Sequence, residues 1–220
     1  MLENVLIKNS VFLIVLISGI LYLMGLILTL IYPKIHIWPP PGENTWQFWF
    51  VNLLGSISVG GIPILGIIVW DSNWINYSLR FLLGGSMVIL AFFFGLWSIK
   101  TLSINQSLGL KVKLIISGPY QYTRNPQYIS YISLIIGLII IINSTMVLIT
   151  GLLAMFWFMI APLAEEPWLL QQFGDEYQEY RKSVPRFVGI QSFEEIKNKQ
   201  VFFKIQKQVG NFKKKKYSQK

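Results

Sequence analysis

The chain has 220 residues and a net charge of +9, yet only 13% of its residues are charged, while 53% are hydrophobic and 15% aromatic. Soluble domains carry about 25% charged residues. This balance, with a mean hydropathy of +0.52, excludes disorder, a coiled coil and an ordinary soluble globule, and predicts an integral membrane protein. There is no cysteine and a single histidine, His36. Disulfide frameworks, thiolate nucleophiles, iron–sulfur ligation and His-cluster metal sites are therefore excluded. Chemistry is left to carboxylates, arginine, tyrosine, backbone groups or a bound cofactor.

Three long apolar stretches, 11–32, 46–70 and 79–99, each reach the roughly 20 residues a helix needs to cross a ~30 Å hydrocarbon core. Backbone groups in lipid must be satisfied within the segment, so these are helices. The first is read as a span and not a cleavable leader, being too long and lacking a small-residue cleavage site. From 127 to 164 the chain is almost wholly apolar, broken only by Asn143-Ser144. Two helices of about 16–18 residues fit there as a tight hairpin. The fold class predicted is thus all-α and polytopic, with about five spans, the last two paired, and a cytoplasmic helical segment behind them.

Five spans place the termini on opposite sides. With the C-terminus cytoplasmic, that side carries Lys34, Lys100, Lys111, Lys113, Arg124 and every basic residue from Arg181 onward, against Lys8 and Arg80 opposite. The positive-inside rule then predicts an outside N-terminus. Gly55, Gly60, Gly61 and Gly66 offer close-packing surfaces on the second helix, Pro63 predicts a kink, and Gly84-Gly85 serve the third. Trp38, Trp46, Trp49 and Trp70 fall near span boundaries, as an interfacial belt requires. Trp38-Pro39-Pro40-Pro41-Gly42 reads as a stiff connector without an evident function. No internal repeat and no ionisable residue deep in a span suggest a transporter or ion path.

Polar residues collect around the final hairpin. In Ser117-Gly118-Pro119-Tyr120-Gln121-Tyr122-Thr123-Arg124-Asn125-Pro126-Gln127-Tyr128, Gly118-Pro119 marks a turn. Asn125 precedes a proline and is expected to cap a helix whose first residue is Pro126. That helix start, beside Arg124, suits a carboxylate or phosphate, although an Arg reaching lipid phosphates is as good a reading. Beyond the hairpin, Glu165-Glu166 are expected to end the helix. A negative charge is unfavourable at that end of the dipole, so pairing with Arg124 or a cationic ligand is anticipated. Tyr177, Tyr180 and Arg181 share one face of a short helix able to close over the site.

Gly118-Pro119-Tyr120, Arg124-Asn125-Pro126, Tyr128, Glu165-Glu166, Phe173-Gly174, Tyr177, Tyr180 and Val184-Pro185-Arg186 occur in an order that resembles the isoprenylcysteine carboxyl methyltransferases and their relatives, the phospholipid N-methyltransferases. The resemblance spans residues 79–190 and implies one membrane-embedded domain over 1–190, with 191–220 as a basic tail. It implies a methyltransferase that uses S-adenosylmethionine, with a lipid-type acceptor entering from the bilayer. Carried over, Tyr120, Arg124, Asn125, Pro126, Tyr128, Glu165, Glu166 and Tyr177 would line or order the cofactor pocket, with Arg124, Glu165 and Glu166 in candidate catalytic roles and no metal. Asn125 stands where the isoprenylcysteine enzymes usually carry His; it cannot titrate, which weighs against a prenylcysteine acceptor more than against methyl transfer.

Two other readings stay open. Membrane sterol reductases resemble this family near their C-termini and use NADPH, but Glu165-Glu166 followed by Phe173-Gly174 and Tyr177 weighs against them. A non-catalytic scaffold or lipid-binding protein would tolerate replacement of Arg124 and Glu166. In the tail, residues 213–216 are four lysines, a partner for anionic headgroups and, without an aromatic–basic recognition pattern, not for nucleic acid. Phe202, Ile205, Val209 and Phe212 recur there at helical spacing, so the tail reads as an interfacial amphipathic helix or a disordered segment.

Overall fold

The computed structural model describes residues 2–70, 77–110, 113–189 and Ser192. These residues form α-helices and short turns: α1 Leu2–Ile31, α2 Trp46–Ile68, α3 Tyr77–Leu102, α4 Ile104–Ser107, α5 Pro126–Ile142, α6 Thr145–Phe173 and α7 Asp175–Ser183. The expected all-α, polytopic architecture is present. Four of the helices, α1, α2, α3 and α6, are long and apolar enough to cross a membrane, and α5 is a shorter apolar helix. The tail predicted as amphipathic helix or disordered basic segment lies outside the described residues.

Side chains from α1, α2, α5 and α6 form the main core. Leu26, Ile62, Leu65, Ile135, Val147, Ala154 and Ala161 are fully or almost fully buried in it. Gly55 and Gly61 of α2 face Tyr22 and Val15 of α1, and Gly66 faces Ile142 of α5. These three glycines mark helix crossings, as expected from sequence, whereas a Cβ on Gly60 or Gly85 would meet nothing within 4 Å, which corrects the expectation for those two. α3 lies mainly against α5. A Cβ on Gly84 would stand 2.7 Å from the Gly137 carbonyl oxygen, and one on Gly137 would stand 2.8 Å from that of Gly84. The two backbones therefore touch, and only glycine fits at either position. Farther along the same seam, the Ser130 hydroxyl donates to the Ala91 carbonyl at 2.7 Å.

The hairpin turn falls at Asn143-Ser144, where expected. Asn143 takes a left-handed conformation with φ 56° and donates its N–H to Ile139 O. The two arms are unequal, however: α5 has 17 residues and α6 has 29. At 1.5 Å per residue α6 is roughly 43 Å long, well beyond the hydrocarbon core. Glu165 and Glu166 consequently lie inside a helix and not at its end, which corrects the sequence expectation and removes its dipole penalty. Two prolines, Pro162 and Pro167, lie within that helix, and the charges beside Pro167 had suggested a stop. It continues because a second apolar cluster holds its last turns. Leu169, Leu170 and Phe173 pack on Ile116, Tyr177, Tyr180 and Val184.

Gly174, with φ 54°, then breaks the chain direction in a conformation L-residues avoid. α7 follows with Tyr177 and Tyr180 buried and Arg181 exposed, so the predicted common face holds for the two tyrosines only. Trp46, Trp49 and Trp70 are exposed, as belt residues would be, but Trp38 is buried. Its removal from the belt is a second correction. The connector folds inward, where the Thr29 hydroxyl accepts the N–H groups of Ile37 and Trp38.

Candidate functional site

One end of the helix bundle holds a cavity. The C-terminal end of α3, the start of α5, the last turns of α6, α7 and the α1–α2 connector surround it. Its empty space is about 890 Å³, open solvent at the mouth included. Of the residues predicted from sequence, Tyr120, Arg124, Asn125, Tyr128, Glu165, Glu166 and Tyr177 all line it. Pro126 does not; it is fully buried at the first position of α5.

The Thr123–Pro126 stretch is built by docking against Val184-Pro185-Arg186. Arg124 N donates to the Pro185 carbonyl at 2.9 Å. The Arg186 carbonyl accepts from the Thr123 hydroxyl at 3.1 Å and from Asn125 Nδ2 at 2.9 Å. Asn125 thus occupies the cap position of α5, with its own carbonyl accepting from Ile129 N, but its side chain makes no capping bond. The expected side-chain cap is absent, and the amide is turned instead to the C-terminal segment, which its Nδ2 ties to the loop. The Tyr180 hydroxyl donates to the Tyr120 carbonyl at 2.6 Å, fixing α7 to the Gly118–Gln121 turn.

This docking assembles a charged cluster. Arg186 grips Glu166 with two parallel bonds, Nε to Oε1 at 2.7 Å and Nη2 to Oε2 at 2.8 Å. Arg124 Nη1 lies 2.9 Å from Glu166 Oε1, both side chains only 9% exposed. The same Nη1 donates to the Tyr177 hydroxyl at 3.3 Å. Burial, reinforced by the Glu166 charge and opposed by Arg124, pushes the Tyr177 phenol up to about 12. The Glu166 bond and charge raise Arg186 further. The anticipated pairing with Arg124 is therefore made by Glu166, and a second arginine joins it.

Glu165 has a different environment. Its Oε1 accepts from the Trp38 indole Nε1 at 2.6 Å and from the Tyr128 hydroxyl. Among the described residues, no donor reaches Oε2 and no cation pairs with this carboxylate. Arg124 Nε, in turn, is buried without a hydrogen-bond partner. The cavity thus combines one uncompensated carboxylate, one unspent guanidinium donor and aromatic walls from Trp38, Tyr120, Tyr128 and Trp168. Elsewhere in the lining, Gln127 Nε2 donates to the Ser107 hydroxyl at 2.7 Å.

Sequence reasoning missed the parts played by Trp38, Gln127 and Arg186. Arg186 had a signal, since it belonged to the recognised Val-Pro-Arg element. Trp38 had none, because nothing local in the connector specifies a carboxylate 127 residues away.

No curated protein and no solved structure matches the chain. Residues 79–176 match the family model described as phospholipid methyltransferase, a segment running from α3 to the start of α7 and containing Tyr120, Arg124, Glu165 and Glu166. The match and the apolar helices together make this an integral membrane protein. Over residues 79–176 the chain carries a phospholipid methyltransferase domain, of the integral membrane methyltransferase family that includes the isoprenylcysteine carboxyl methyltransferases.

Proposed function

We propose that the cavity binds S-adenosylmethionine and that the protein transfers its methyl group to a membrane-associated acceptor of phospholipid or isoprenoid type. The observation that carries this reading is the unlike treatment of two adjacent carboxylates. Glu166 is neutralised by Arg124 and Arg186, while Glu165 meets only uncharged donors beside the cavity.

The donor set fits the cofactor. Its amino-acid end is a zwitterion, complementary to the Glu165 carboxylate and the unpartnered Arg124 Nε. Aromatic faces of Tyr120, Tyr128 and Trp38 suit a cationic centre through cation–π attraction. When bound, the cofactor supplies an electrophilic methyl group on a positively charged sulfur. The protein's own contribution is then placement and field. The Arg124–Glu166–Arg186 cluster ties α6 to the loop before α5 and to the segment after α7, fixing the cavity walls. For an amine acceptor, Glu165 is the better proton acceptor of the two carboxylates, because both oxygens of Glu166 are already held by guanidinium groups.

The cavity end of the bundle carries Lys34, Lys100, Lys113, Arg124, Arg181, Lys182 and Arg186, whereas Lys8 and Arg80 lie towards the other end. This asymmetry supports a cytoplasmic cavity and an outside N-terminus. Anionic headgroups at the basic tail belong to the same proposal.

Calorimetry on the purified protein in detergent, with S-adenosylmethionine as ligand and NADPH as control, tests the cofactor. Saturable binding of S-adenosylmethionine alone is expected, weakened by Glu165→Gln and by Arg124→Ala. A folded protein that binds none of it, lipid added, overturns the reading.

A further inference from the structure

Resting on the assignment of the cavity to the cofactor, we propose that Trp38 is a positioning residue of this site. Its indole N–H holds the Glu165 carboxylate from a segment outside the matched residues 79–176.

The indole nitrogen only donates, so it exchanges no proton with Glu165. It is also uncharged. A guanidinium in its place would orient the carboxylate and neutralise it, as Arg186 does to Glu166. Trp38 and Tyr128 orient Glu165 without adding a cation, so the carboxyl group stays open to a cationic ligand. A glutamate side chain otherwise loses substantial rotamer freedom on fixing. Both donors converge on Oε1, which pins the group while Oε2 takes no bond from the described residues.

Trp38 can perform this role only if it is itself fixed, and it is. Its backbone N–H and that of Ile37 donate to Thr29 Oγ1 at 3.2 and 3.1 Å. The Thr29 hydroxyl donates onward to the Gly25 carbonyl at 3.1 Å. Thr29, Ile37 and Trp38 are all buried. On the opposite side, the loop after α4 closes against the indole, for a Cβ on Gly109 would stand 2.8 Å from Trp38 Cζ3. The path from α1 through Thr29 and the connector therefore ends on a carboxylate of the matched domain. The connector, held in place by α1, thus completes the site.

A double-mutant cycle on the full chain tests this, with wild type, Trp38→Phe, Glu165→Gln and the double variant. Phenylalanine keeps an aromatic ring and removes the donor. Two quantities are measured: affinity for S-adenosylmethionine by calorimetry, and the thermal midpoint without ligand. Losing one bond to a charged group predicts that Trp38→Phe weakens binding about tenfold in the wild-type background. In the Glu165→Gln background the further loss is expected to stay below about twofold. A structural role alone would lower the midpoint and leave affinity unchanged. Equal losses in both backgrounds, or none in either, overturn the proposal. If wild type binds no S-adenosylmethionine, the cofactor reading falls by itself. The ligand-free midpoints then decide the Trp38–Glu165 link, coupled midpoints sustaining it and additive ones overturning it. The midpoints also decide where Glu165→Gln alone removes measurable binding. Should Trp38→Phe not accumulate folded, Thr29→Val, which frees the connector backbone, takes its place in the same cycle with the same criteria.

Discussion

Glu165 and Glu166 are consecutive residues of α6 whose side chains leave the helix about 100° apart, and each enters a separate network. Glu166 meets Arg124 and Arg186, three groups joined by bonds of 2.7–2.9 Å. Glu165 meets Trp38 and Tyr128, which carry no charge. One carboxylate therefore holds the walls together, and its neighbour is left without a cationic partner among the described residues.

This division makes the two residues differ in what their loss does to folding. Glu166→Ala leaves two guanidiniums without their shared anion and is expected to cost about 3–5 kcal/mol. Glu165→Ala removes two hydrogen bonds from neutral donors and is expected to cost less, about 1–3 kcal/mol. Thermal unfolding in detergent checks the order. A Glu166→Ala protein as stable as wild type would show that the arginine cluster contributes nothing to the fold.

Tyr180 anchors α7 through one buried hydroxyl. Tyr180→Phe keeps the ring in its apolar cluster but strips the Tyr120 carbonyl of its 2.6 Å partner. About 1–3 kcal/mol is the expected cost of the unsatisfied carbonyl. Hydrogen exchange should rise through Asp175–Ser183 before it rises in α5. Unchanged protection there would mean that the bond does not hold the helix.

Tyr177 contributes to the alkaline limit of the fold. Burial, chiefly, pushes its phenol up to about 12 from the 10.0 of a free side chain. Between those values the unfolded chain releases a proton that the native state keeps, so stability falls as pH rises from 10 towards 12. Below pH 10 the contribution is complete. Tyr177→Phe should flatten part of the alkaline decline measured by unfolding at stepped pH. Parallel curves for wild type and variant would contradict the assignment.

The α3–α5 seam depends on glycine. Gly137→Leu places a side chain against the Gly84 carbonyl, 2.8 Å from the position of its Cβ, and the helices must separate. The cost of forcing them apart is expected to exceed about 2 kcal/mol. Gly85→Leu, where nothing lies within 4 Å of the added Cβ, should be close to neutral. Comparing the two midpoints separates packing from helix propensity.

Helix existence was readable before any coordinates, because lipid removes every alternative for an unbroken apolar run. So were the turn at Asn143-Ser144, the helix start at Pro126 and seven of the eight pocket residues now lining the cavity. Those residues were found by their order along the chain, which a family pattern preserves. The length of α6 was not readable: its continuation past Glu165-Glu166 depends on Tyr177, Tyr180 and Val184 folding back to cover Leu169, Leu170 and Phe173. Local propensity cannot register a partner supplied ten residues later.

Nor could the sequence distinguish Glu165 from Glu166, since adjacent identical residues carry identical local signals. Their separation is a matter of direction around a helix and of what stands there. Arg186 reaches one because Thr123 and Asn125 hold its carbonyl, and Trp38 reaches the other because Thr29 turns the connector inward. Composition and periodicity determine that the chain is helical and lies in a membrane, for each helix satisfies its own backbone. Which carboxylate is paired with arginines and which meets only neutral donors was decided by long-range contacts alone, because charge compensation needs partners that only the folded chain brings together.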